Sequence, residues 1–357
     1  MTTVQALFGI ERPIIQAPMA GVQGSALAAA VSSAGGLGSL PCAMLNLDAL
    51  RQELSAFRAL TDKPLNVNFF CHSVPPADAQ RDADWRTHLA PYYAELNIDA
   101  DNIPAAAERR PFNQDAANVL AEFAPEVVSF HFGLPEAALL EQVRAWGGKI
   151  IATATTVAEA QWLDARGVDA IIAQGTEAGG HRGNFLSADL HAQMGTFALL
   201  PQIVAAVKVP VIAAGGIADS KGVAAALALG ASAVQVGTAY LLCSETNTSP
   251  LHRAALQSDA ARVTAITNLF TGRPARSIVN RFIREMGPIH SAVPAFPRAA
   301  TAAAPLRAHA EKRGSSDFSP LWAGQNTRGC KAIAAAALTH ELAREWSARE
   351  YSISAPQ

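Results

Sequence analysis

Apolar positions along the chain fall into two alternating kinds of segment. Short runs without polar alternation recur as PIIQAPM (13–19), GLGSLP (36–41), LNVNFF (65–70), VVSFHF (127–132), KIIATAT (149–155), DAIIAQG (169–175), VPVIAAGG (209–216) and SAVQVGT (232–238). Between most of them lie Ala-rich stretches of helical length, such as GSALAAAVSSAG, VAEAQWLDARG and SKGVAAALALG, which end in Gly35, Gly167 and Gly230. A glycine there suits the left-handed residue that closes a helix. Apolar strands separated by helices predict a parallel sheet covered on both faces. Eight such units in about 240 residues fit a (β/α)8 TIM barrel better than an open doubly wound sheet. The first strand-to-helix turn, APMAGVQGS, only loosely imitates the glycine fingerprint that an open dinucleotide-binding sheet carries there.

Two regions break the rhythm. Residues 72–118 are polar and proline-containing, too long for an ordinary connection, and predict an excursion over the barrel mouth. From 246 to 328 the strand pattern stops, and the sequence predicts a smaller, mainly helical domain that meets the excursion, with 303–317 as a loop. The barrel is then 1–71 with 119–245, and 329–357 forms a C-terminal helix and tail, the helix over 330–351. The resemblance of GVDAIIAQGTEAGG to GASAVQVGTAY reflects repeated strand–helix units and supports the fold alone.

Composition narrows the classes. Half of the 357 residues are hydrophobic, enough for a large core, and the net charge of −2 with mixed signs gives no electrostatic reason to expect nucleic acid or a membrane surface as partner. The four cysteines are far apart with no CxxC pair, which points to reduced thiols in the cytoplasm. No apolar run reaches the roughly 20 residues of a membrane span. The first residues, MTTVQALFGIERP, lack the pattern of a signal peptide. No His, Cys, Asp and Glu group has metal-ligand spacing, and no G-x-S-x-G elbow is present.

In a barrel, chemistry sits where strands end. The sixth predicted strand runs into GTEAGGHRG (175–183), four glycines and a histidine, a backbone bare enough to lie against a flat ligand. Gly215-Gly216 and Gly237-Thr238 end the seventh and eighth strands, where barrels commonly bind phosphate. Asn68, Gln174 and Gln235 add amides able to donate and accept, as the polar edge of a flavin requires. Tight packing of helices also selects glycine, but the combination at four strand ends favours a planar cofactor bearing a phosphate. A histidine among glycines can be catalytic or can satisfy a loop carbonyl; its place after the sixth strand favours function for His181. Glu177 and Arg182 beside it either tune it or are solvated. His72 and His131 are wall residues of the mouth.

QAPMAG, NVNFFCH, VSFHFG, ATATT, AQGTEAGGHRG, PVIAAGGIAD and AVQVGTAYL, in this order, resemble the nitronate monooxygenase family, formerly 2-nitropropane dioxygenases, and its class I in particular; SPLWAGQ (319–325) adds to the likeness. The resemblance covers the barrel from 13 to about 253. It implies noncovalent FMN at the barrel mouth, contacted by Asn68, Gln174, Gly179, Gly216, Gln235, Val236, Gly237 and Thr238, with Met19 and Ala20 near the ring and His181 as the catalytic histidine; the adjoining Gly180 and Gly215 are counted with the cofactor site. The implied reaction is oxidation of alkyl nitronates, propionate 3-nitronate being the expected substrate. It proceeds with O2 through a flavin semiquinone, to a carbonyl compound with nitrite and nitrate. His181 would hydrogen-bond the nitronate, attract it as a cation, or act as base toward neutral nitroalkanes. A carboxylated substrate calls for an anchor among Arg273, Arg276, Arg281, Tyr92 and Tyr93. The expected assembly is a monomer or homodimer. The alternative is an FMN-dependent NAD(P)H:quinone reductase or enoyl-thioester reductase, which shares the glycine–histidine stretch.

Overall fold

The structure is a computed structural model that describes residues 3–100, 103 and 109–346. All eight predicted strands form. They are β1 (Ile14–Gln16), β2 (Gly38–Pro41), β3 (Leu65–Phe70), β4 (Val127–His131), β5 (Lys149–Ala154) and β6 (Ala170–Gln174); after a two-residue β7 (Gly180–His181) outside the barrel come β8 (Val211–Ala214) and β9 (Ala233–Val236). Every neighbouring pair is parallel, in the order β1-β9-β8-β6-β5-β4-β3-β2. The ends of the sheet meet where Leu37 N donates to Ile14 O and Gln16 N to Leu37 O, both at 2.9 Å. The architecture is a TIM barrel.

Side chains alternate across each strand, and this decides which residues can reach the site. Ile14, Val67, Val128, Ile150, Ile171, Ala213, Val234 and Val236 point outward into the layer shared with the helices. Ile15, Leu37, Val127, Ile151, Ile172 and Ile212 point inward and pack with Val4 and Phe8 of the first helix. Two residues further along each strand, the inward series continues as Asn68, Ser129, Thr153, Gln174 and Gln235. The barrel is therefore dry at one end and polar at the other.

Over the polar end lies a second core. The helix Ala79–Leu96 packs on the helix Ala299–Lys312, and Trp85, Leu89, Tyr93, Phe282, Leu306 and Phe318 are buried between and beside them. The excursion and the later segment thus fold together. The excursion returns to the barrel at Asn113, whose side chain caps the helix Gln114–Phe123, rather than after residue 118; residues 101, 102 and 104–108 of it lie outside the described residues. The loop expected over 303–317 is mostly helix, ending at Lys312.

A small sheet joins the helices of this layer. β10 (Thr264–Thr267) pairs antiparallel with β11 (Ala275–Ile278), and β11 pairs with β7, setting Ala275 opposite His181. The C-terminal helix runs over Ala335–Leu342 and packs on the helix Ser25–Ser33; residues 347–351 of the longer helix expected there lie outside the described residues. Among the described residues no helix is long and apolar enough to cross a membrane.

Candidate active site at the barrel mouth

A cavity of about 400 Å³ opens between the polar end of the barrel and the second layer. Asn68, Gln174 and Gln235 line it because they continue the inward series of β3, β6 and β9. Met19, Ala20, Gly179, Gly180, His181, Gly215, Gly216, Gly237, Thr238 and His131 line it as well. Two candidates do not. Val236 points outward and is buried in the strand–helix layer, because it stands one residue from inward-facing Gln235. The ring of His72 is buried behind the wall, 4.8 Å from the Phe296 ring, with Nε2 donating to Arg109 O at 3.0 Å.

At Gly175, Gly179 and Gly183 the stretch is bare because neighbouring atoms occupy the space a side chain would need, whereas Gly180 is open but has a φ of 70°. A Cβ on Gly179 would sit 2.6 Å from the backbone of Ala323 and Gly324. Gln325 N donates to Glu177 O at 2.9 Å, and Gly324 N to Thr238 Oγ1 at 2.9 Å, so this C-terminal segment is laced to both edges of the site. Gly215 and Gly216 have φ of 116° and 74°, conformations that leave the backbone exposed to the cavity and strain any other residue.

Side chains bolt this backbone down. Arg182 is completely buried, and its guanidinium donates to Gly175 O at 2.7 Å, Gln174 O at 2.8 Å and Gln193 Oε1 at 2.6 Å. The Glu177 carboxylate accepts from Thr196 N at 2.8 Å and Thr196 Oγ1 at 2.9 Å. Neither residue is simply solvated. Gln174 spans the loop, its Nε2 donating to His181 O at 3.1 Å and its Oε1 accepting from Gly183 N at 2.8 Å, which leaves it one free N–H. Gln235 differs: its buried Oε1 has no partner among the described residues. Whichever way that amide is turned, its end needs a polar group from the cavity.

His181 is held at its backbone by β11 and at its ring by Thr271, 2.9 Å from Nε2. The Thr271 hydroxyl also donates to Arg273 O at 3.4 Å, and that direction assigns the Nε2 hydrogen to His181 and leaves Nδ1 as its free lone pair. Phe70, Phe132, Phe296 and Trp322 surround the ring at centroid distances of 5.5 to 6.0 Å. Burial, and after it the charges of Arg109, His131, Arg273 and His72, hold its pKa well below the ordinary imidazole range. That direction favours the neutral imidazole near pH 7 in the resting site. His131 is neutral too: Nε2 donates to His181 O at 3.2 Å, Nδ1 faces the Thr153 hydroxyl at 3.1 Å, and burial pushes its pKa down to about 3.

None of the five expected substrate anchors lines the cavity. Arg276 donates to Thr176 O at 2.8 Å, and Arg281 is paired with Glu95 and Glu285. Tyr92 and Tyr93 are in the second core, and Arg273 stacks on Phe132 at 3.8 Å with its guanidinium bonded to Asn184 O. The arginines that do line it are Arg109 and Arg307, and Trp322 and Thr271 complete the surroundings of His181. The sequence reading passed over all four. The clue available for Trp322 was its place in SPLWAGQ. Among the described residues no group of three or more His, Cys, Asp or Glu is placed to hold a metal ion.

The chain matches the family model described as nitronate monooxygenase over residues 1–345. It is 45% identical over 345 residues to a nitronate monooxygenase of Paraburkholderia phytofirmans, spanning 95% of this chain and 93% of that one. It is 42% identical to a nitronate monooxygenase of Pseudomonas aeruginosa, spanning 95% and 97%. The solved structure of a nitroalkane oxidase from Streptomyces ansochromogenes superimposes with a TM-score of 0.88 at 39% identity, covering 99% of this chain and all of that one.

The buried histidines make stability depend on pH. An unfolded histidine binds its proton near pH 6.5, whereas His131 and His181 in the fold stay neutral to lower pH. Between those values the unfolded chain holds more protons, so stability rises with pH and is lost as pH falls below about 6.5. Urea midpoints at pH 7, 6 and 5 should fall in that order, and less steeply for His131→Asn, which removes one such site. Equal slopes for the two proteins would contradict the assignment.

Proposed function

The chain belongs to the nitronate monooxygenase family, and we propose that it oxidises alkyl nitronates with O2 on a noncovalently held FMN at the barrel mouth. One juxtaposition supports this reading: a strip of bare backbone, an unpartnered amide and a neutral imidazole face the same cavity. The residues present fit the cofactor. Gln235 Oε1 lacks the partner that a flavin ring edge supplies, and Asn68 lies on the same inward face. Met19, Ala20, Gly179 and Gly180 offer surfaces for the faces of a flat ring, while Gly215, Gly216, Gly237 and Thr238 would receive the phosphate. When bound, FMN supplies the electron transfer between nitronate and oxygen.

The protein's own part is positioning and proton control. The aromatic walls around His181 exclude water and accommodate a short alkyl group. A nitronate already lacks its α-proton, so for it His181 need only orient the substrate. For a neutral nitroalkane, the Nδ1 lone pair of the neutral ring can accept the α-proton. Thr271 fixes the ring and its tautomer for both tasks. Propionate 3-nitronate, small and anionic, is the substrate we favour.

The rival reading is an NAD(P)H-dependent flavin reductase on the same barrel. Purified chain with FMN should take up oxygen with propionate 3-nitronate and no nicotinamide, giving nitrite and nitrate. Rapid anaerobic bleaching of the flavin by NADH or NADPH, with no oxygen uptake on nitronate, would instead establish the reductase. His181→Asn should keep FMN bound and lose roughly 10²–10⁴-fold in turnover of neutral nitroalkanes, with a smaller loss on nitronates. Loss of FMN from that variant would make the histidine a cofactor-holding residue.

A further inference from the structure

Among the described residues one arginine of the cavity has no carboxylate partner. Arg109 lines the cavity at the end of the excursion, half-buried, with its guanidinium 5.5 Å from the centre of the Phe296 ring. His181 touches the same ring, centroid to centroid at 5.6 Å, so the two groups flank one aromatic side chain. The Arg109 backbone is fixed from behind by His72 Nε2, itself packed on Phe296. Among the described residues no carboxylate forms an ion pair with Arg109. The other arginine lining the cavity, Arg307, is already paired with Glu311 at 2.8 Å. Leaving a half-buried guanidinium without a counter-charge costs free energy, a cost that persists in enzymes where the partner is the ligand.

The geometry also restricts what that ligand is. A guanidinium forms two parallel hydrogen bonds to a planar group with two oxygens sharing a negative charge. The neighbouring walls, Phe70 and Trp322, are apolar and suit the carbon side of a small molecule. His181 is neutral and contributes no charge. Resting on the proposed oxidation of nitronates, we propose that Arg109 receives the nitronate group itself and selects the anion over the neutral nitroalkane. The anchor for the anion thus comes from the excursion, not from the segment after residue 246. Because Arg109 and His181 share Phe296, the bound group lies beside the imidazole, where the reacting carbon has to be.

Arg109→Gln and Arg109→Lys, each loaded with FMN, test this with ethyl nitronate, propionate 3-nitronate and nitroethane. Arg109→Gln should raise KM for both nitronates by about tenfold or more, and shift the nitronate-to-nitroethane ratio of kcat/KM at least as far toward the neutral substrate. Arg109→Lys, which keeps the charge and the bulk, should retain part of the preference, and it carries the test if the glutamine variant fails to fold. Nitrite, a planar two-oxygen anion that is not a substrate, gives a reading free of turnover: anaerobic titration against the flavin spectrum should show about tenfold weaker binding in both variants. Equal losses on all three substrates with unchanged nitrite binding would overturn the proposal, as would a loss confined to the carboxylated substrate. If the native chain binds nitrite through Arg109 but oxidises no nitronate, the proposed activity fails while the anion site stands.

Discussion

The site depends on one buried cation. Arg182 stands next to His181 in the sequence, yet its guanidinium is turned away from the cavity into the space behind β6, where two backbone carbonyls and Gln193 satisfy it. Burial pushes its pKa down only to about 10, so it remains charged near neutrality. A charge this deep is tolerated because its donors are matched, and removing it would take the Arg182 donor from the Gln174 carbonyl and leave Gly175 O with Ala178 N alone, at the point where the glycine stretch begins. Glu177 does the corresponding work on the other side through Thr196. Between these two clamps the chain can be nearly free of side chains and still hold one shape.

That constraint links the two layers. Once Arg182 fixes the start of the stretch, Gly180 and His181 extend outward as β7 and pair with β11, which belongs to the second layer. The catalytic candidate is therefore held by both layers: its backbone by the small sheet, its carbonyl by Gln174 and His131 of the barrel, its ring by Thr271. A shift of the second layer would move His181 relative to the floor of the cavity. A histidine on a free loop would have no such linkage and would be protonated more readily, since the closeness of the aromatic walls and of Arg109 keeps the ring neutral.

The barrel was legible because parallel strands buried on both faces give short apolar runs, and all eight appear where those runs lie. The inward residues at the strand ends were legible for the same reason: period-two alternation carries Asn68, Gln174 and Gln235 to one face. Listing Val236 beside Gln235 ignored that period. The second layer was less legible. Its helix at Ala299–Lys312 buries mainly alanines and contains Pro305, so it lacks the large apolar stripe that marks a helix and carries a residue that usually ends one. Pro305 has no N–H to donate to Thr301 O, and the Tyr93 hydroxyl from the excursion donates to the next carbonyl, Ala302 O, a long-range contact no local pattern encodes. β11, with ARSI, pairs with the glycine stretch some ninety residues earlier and β10, with TAIT, pairs with β11, so neither is marked by a neighbouring strand pattern in the sequence. Arg109 and Thr271 escaped notice because their importance comes only from what folding places beside His181.

The central claim is that the backbone at Gly215–Gly216 and Gly237–Thr238 receives the phosphate of FMN, with the rest of the cavity arranged around the ring. The direct measurement is the FMN dissociation constant, by fluorescence titration, of the native chain and of Gly216→Val, with circular dichroism to confirm that the barrel is folded. A side chain at this position both blocks close approach and disfavours the φ of 74°. Affinity should weaken by roughly tenfold to a hundredfold, the worth of one or two charge-assisted hydrogen bonds. A folded Gly216→Val chain that binds FMN as tightly as the native one would contradict it.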